Sequence, residues 1–165
     1  MKKYTLVLSV LLTSCAPAIQ FNDVIVIGDS LCNAIDNDGL SYPEIAGVKK
    51  NCENGRKLVD YPDQLPAGFR KIFLSFGTND SGTPEPEFRD SLTTKLASTS
   101  ADVYCILPDP LEPHLQDVRQ SLMSICVNTI EPREWGYLFG SPDGIHGVRA
   151  DHERFGARLK NFLQN

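Results

Sequence analysis

Two apolar runs, Val24-Ile25-Val26-Ile27 and Ile72-Phe73-Leu74-Ser75-Phe76, constrain the fold of this chain most. Each is short and rich in branched or aromatic side chains, as in a strand covered on both faces. Each is followed at once by a small polar word: Gly28-Asp29-Ser30 after the first, Gly77-Thr78-Asn79-Asp80 after the second. In an open parallel sheet, ligands bind beyond the carboxyl ends of the strands, so these words fall where chemistry is expected.

The rest of the pattern alternates strand and helix. Strands are expected at Asp23–Gly28, Val48–Asn51, Lys71–Phe76, Asp102–Leu107 and, short, at Cys126–Ile130. Phe88, Leu92 and Leu96 fall on one face of a helix that Pro84 and Pro86 begin. Leu115, Val118, Leu122 and Ile125 mark a second helix, and Phe155, Leu159 and Phe162 a last one from about Val148 to Leu163. Alternation at this spacing implies right-handed crossovers and a parallel sheet with helices on both faces. A chain of 165 residues leaves room for one such domain, at 23–165.

The N-terminus reads differently. Lys2 and Lys3 precede an apolar stretch, Leu6–Leu12, too short to span a bilayer but suited to an export signal. It ends in Leu12-Thr13-Ser14-Cys15, which resembles the bacterial lipobox. The expectation is a signal peptide at 1–14, a lipidated Cys15, a tether to residue 22, and anchorage in the cell envelope. Losing Lys2 and Lys3 takes the formal charge from −5 to −7. With no long Lys/Arg cluster, nucleic acid is excluded as a partner. Export would expose Cys32, Cys52, Cys105 and Cys126 to an oxidising compartment, and four cysteines allow three pairings. The coarse topology favours Cys32 with Cys52, in adjacent loops, and Cys105 with Cys126, on neighbouring strands. Each bridge would stabilise by about 3 kcal/mol. Metal-ligand spacing such as C-x-x-C does not occur.

Ser30, beyond the first strand, is a candidate nucleophile in need of a base. Of the three histidines, His114 sits at the opening of a helix as an exposed or capping residue, and His152 is expected on the surface of the last helix. His146 follows Asp143 by three residues, a spacing that lets the carboxylate fix the imidazole tautomer while the other nitrogen takes a serine proton. Asn79, after the central strand, can donate to a developing oxyanion. Gly55 is either a turn glycine or the source of another N–H to that oxyanion.

Gly28-Asp29-Ser30-Leu31, Gly55, Gly77-Thr78-Asn79-Asp80 and Asp143-Gly144-Ile145-His146 together resemble, in order and separation, the four sequence blocks of the SGNH, or GDSL-type, hydrolases. The resemblance covers about residues 24–160. It implies a flavodoxin-like α/β/α sandwich with strand order 2-1-3-4-5. It implies Ser30 as nucleophile, His146 as base and Asp143 as its orienting partner. The oxyanion hole would comprise the Ser30 and Gly55 N–H groups and the Asn79 amide. Gly147 stands where relatives often carry proline, which is expected to loosen that loop. Cys32 fills the last position of what would be a G-x-S-x-G elbow, which disfavours an ordinary α/β-hydrolase.

The function implied is an exported ester hydrolase, monomeric and without cofactor, acting on small acyl esters of saccharides or lipids. Little chain is left for a lid or a long acyl tunnel. The alternatives are a non-catalytic binding lipoprotein, which would not need four polar groups at one rim, and a thiol enzyme using Cys32.

Overall fold

The computed structural model describes residues 20–33, 39–143 and 145–165. Five strands, β1 (Val24–Gly28), β2 (Lys49–Cys52), β3 (Lys71–Ser75), β4 (Asp102–Ile106) and β5 (Asn128–Ile130), form one sheet. All pairings are parallel and the order is β2-β1-β3-β4-β5. The helices are α1 (Tyr42–Ala46), α2 (Glu85–Ala97), α3 (Gln116–Ile125) and α4 (Arg149–Gln164). The fold is therefore the three-layer α/β/α sandwich expected.

Strand alternation divides the core in two. Val24, Val26 and Phe73 face one way and meet Tyr42 and Ala46 of α1 and Phe155 and Leu159 of α4. Ile25, Ile27, Ile72 and Leu74 face the other way, against Phe88 and Leu92 of α2 and Val118 and Leu122 of α3. Among β1 residues, Val24, Val26 and Ile27 are fully excluded from water, as continuous apolar runs require of strands buried on both faces.

Four local expectations need correction. Cys126 does not lie on β5, which begins at Asn128; it ends α3, so its bridge to Cys105 joins a strand to a helix terminus. Cys52 is the last residue of β2 rather than a loop residue. Phe162 is 38% exposed, and Leu163 takes the inward position instead. The ring of Phe162 still covers Tyr104 and Trp135 at the edge of the core. His152 is not a surface residue but is buried against Tyr42, with ring centroids 5.9 Å apart.

Candidate active site

At the end of β1 the chain turns sharply. Asp29 donates its N–H to the Ser75 carbonyl of β3 at 3.0 Å. Its carboxylate accepts from the Leu31 N–H at 2.9 Å, capping a single 3-10 turn over Ser30–Cys32. The side chain of Asp29 is fully buried, and desolvation pushes its pKa up to about 7, with a further contribution from the charge of Asp80. Cys32, the last residue of the turn, is bonded to Cys52, which ties the Ser30 turn to the end of β2. Bridged and buried, Cys32 has no thiol to offer as a nucleophile.

His146 arrives from the other edge of the sheet, in the segment between β5 and α4. Its Nε2 lies 2.8 Å from Ser30 Oγ, and its Nδ1 lies 2.6 Å from Asp143 Oδ2. Asp143 Oδ1 accepts the N–H groups of His146 at 3.0 Å and Ile145 at 2.9 Å, together with the Ser141 hydroxyl. These hydrogen bonds, that from the His146 backbone first, hold the Asp143 carboxyl well below the usual range. An ionised carboxylate only accepts, so Nδ1 carries the ring proton and the Nε2 lone pair faces the serine.

Gly147 does not loosen this loop. It is buried, and its N–H donates to the Tyr137 hydroxyl at 2.9 Å. A Cβ at this position would come within 2.4 Å of the Tyr137 ring. A proline would lose that hydrogen bond as well as meeting the ring.

Asn79 and Gly55 approach from the rims of β3 and β2. Asn79 is half-buried, and its Nδ2 donates to the Arg56 carbonyl across 3.5 Å, so the two rims meet. Gly55 lies exposed in that turn with φ of +77°. Asp80 is fully buried and accepts the Leu58 N–H with both oxygens, at 3.0 and 3.1 Å. Desolvation raises its pKa to about 6. His114 is half-exposed beside Glu112, 3.3 Å from its carboxylate. Cys15 lies outside the described residues, as does Gly144. Among the described residues, no cluster of His, Cys, Asp and Glu could hold a metal ion.

Tyr137 and Asp151, which secure the loop carrying Asp143 and His146, have no signature word of their own. A cavity of about 10 Å³ lies beside Leu31, lined also by Tyr42, Ser75, Ile106, Tyr137 and Phe139. It has room for about one water and not for an acyl chain.

By sequence the chain matches no family model, and no curated protein matches it. By structure it is similar to a carbohydrate acetylesterase family member from Sinorhizobium meliloti, with a TM-score of 0.56 at 16% identity over 85% of this chain and 96% of that one. An aryl esterase from M. smegmatis gives 0.57 at 12% identity, over 85% and 97%. The catalytic domain of peptidoglycan O-acetyltransferase A from Streptococcus pneumoniae gives 0.56 at 11%, over 87% and 93%. What the chain shares with these proteins is the fold, a parallel sheet of order β2-β1-β3-β4-β5 between two layers of helices.

Proposed function

We propose that this protein is an exported, lipid-anchored serine ester hydrolase acting on small acyl esters. O-acetyl groups of envelope saccharides are the first substrates to test, followed by lysophospholipids and thioesters. The observation that carries the reading is the continuous line from Ser30 Oγ through the His146 ring to the ionised Asp143 carboxylate. In the proposed reaction Ser30 Oγ attacks the ester carbonyl carbon as its proton passes to His146 Nε2. The oxyanion is met by the Ser30 and Gly55 N–H groups and the Asn79 amide. The C–O bond then breaks, the alkoxide takes the proton from His146, and an acyl group remains on Ser30. Water attacks the acyl-serine, gives a proton to His146, and releases the acid as the proton returns to Ser30. Asp143 stabilises the imidazolium at each stage without taking the proton.

Export rests on the basic start, the short apolar segment and Cys15 of the lipobox-like word. The cavity beside Leu31, about 10 Å³, holds no acyl chain, which favours short acyl groups bound at the open rim over long ones. The test is hydrolysis of chromogenic acetyl, butyryl and octanoyl esters and acetate release from O-acetylated glycan, wild type against Ser30→Ala. Acetyl turnover lost in the variant is expected; equal activity in both proteins would remove Ser30 from the reaction. Mass analysis of the membrane fraction should find acylated Cys15 as the first residue. A free N-terminus elsewhere would refute the anchor.

A further inference from the structure

Asp151, in the first turn of α4, is 1% exposed, and its carboxylate faces backward into the loop that precedes the helix. Oδ1 accepts the Leu138 N–H at 3.1 Å, while Oδ2 accepts those of Gly140 and Val148, each at 2.9 Å. Those three amides are the two ends of the segment 138–148, and that segment carries Asp143 and His146. Inside it, the Ser141 N–H donates to the His146 carbonyl at 3.0 Å, so the loop closes a second time just below the imidazole. Against the desolvation that would raise it, the N–H groups of Gly140, Leu138 and Val148, with Arg154 2.5 Å from Oδ1 behind them, lower the pKa of the Asp151 carboxyl.

We infer that Asp151 is a positioning residue for His146, joining both ends of the loop to α4 so that Nε2 stays within reach of Ser30. The inference rests on the serine-hydrolase reading. Charge-assisted bonds from N–H groups to a buried carboxylate are stronger than neutral ones. Here three of them converge on a group fixed in a helix that packs on α1 and the core. Nothing else among the described residues receives backbone N–H groups from both ends of this segment.

The test is Asp151→Asn, whose amide has one accepting oxygen and turns N–H donors toward N–H donors. The expected result is a kcat about 10- to 100-fold lower with KM within about threefold, the size of effect that misplacement by about 1 Å produces. The low-field proton resonance expected of His146 Nδ1–H in wild type, from its bond to Asp143, should broaden or move upfield. Ser98→Ala serves as comparison: it removes a hydroxyl that accepts the Leu65 N–H at 2.9 Å and donates to the Lys95 carbonyl at 2.7 Å, at the end of α2 on the other face of the sheet. Its melting temperature should fall while the low-field resonance stays. Should Asp151→Asn not fold, hydrogen exchange on wild type decides instead, because the amides of Leu138, Gly140 and Val148 should be protected and open together with α4. An unchanged resonance and unchanged kcat in Asp151→Asn, or unprotected amides in wild type, overturns the inference. If wild type hydrolyses no ester yet the resonance depends on Asp151, the positioning stands and the serine-hydrolase reading falls.

Discussion

His146 Nε2 lies 2.8 Å from Ser30 Oγ, although 116 positions separate the two residues in sequence. The sheet order makes this possible only in part, because β1 is central and the chain reaches His146 after β5 at the edge. The missing step is α4, which crosses back to pack on α1 and Tyr42, behind the Ser30 turn. The loop at its start is thereby brought over the end of β1.

If Ser30 and His146 act as one unit, their losses should not add. Ser30→Ala and His146→Ala should each lower kcat by on the order of 10⁴ or more, and the double variant should be little worse than either. Single-turnover and steady-state rates on one chromogenic ester check this. Multiplying losses would mean that the two residues serve separate steps.

The sheet was legible because β1 and β3 are nearly pure apolar runs, a pattern that few other structures produce. The strand order came from the resemblance, since spacing alone does not order parallel strands. Ser30, Asn79, Asp143 and His146 were legible because each lies in a short word at a strand end or in a turn. The clamps on them were not. Tyr137 and Asp151 act through contacts set by how α4 docks, and no local pattern records that. The burial of His152 does have a signal in the sequence: it stands three residues before Phe155, on the same inward stripe that runs through Leu159 to Leu163.

Asn79 offers a donor at the rim of β3, held near the β2 turn through the Arg56 carbonyl. Asn79→Ala should lower kcat by roughly 10²- to 10³-fold, the usual cost of one oxyanion donor, with KM little changed. Asn79→Asp, of nearly equal size but charged, should do no better. A loss confined to KM would assign Asn79 to substrate binding instead.

Gly156 sets the approach of α4 to α1. A Cβ there would lie 2.7 Å from Ile45 Cβ and 2.9 Å from the Tyr42 carbonyl oxygen. Alanine gains about 1 kcal/mol of helix propensity over glycine, whereas overpacking a tight contact costs about 1–3 kcal/mol. The Tyr42 carbonyl is backbone and cannot rotate away, so the cost should win. Gly156→Ala is therefore expected to lower the melting temperature, and kcat with it, as α4 shifts against α1. A higher melting temperature would show that the helices have room to part.

His152 should make stability depend on pH. Burial pushes its pKa down to about 4, against an ordinary value of 6.5. Its Nδ1 accepts the Tyr42 N–H at 3.2 Å, which only the neutral ring can do. Between about pH 4 and 6.5 the unfolded chain binds a proton at this site that the folded chain does not, so this contribution to stability rises with pH and is complete above 6.5. Asp29 and Asp80, raised to about 7 and about 6, act in the opposite direction as they ionise. The wild-type profile alone is therefore ambiguous, and the comparison must be with His152→Gln, which retains an acceptor but no titration. Urea unfolding at pH 4.5, 5.5, 6.5 and 7.5 should give a wild-type advantage that grows up to 6.5 and is level beyond. A difference that stays constant across all four would mean that His152 does not enter the folded state as a buried neutral ring.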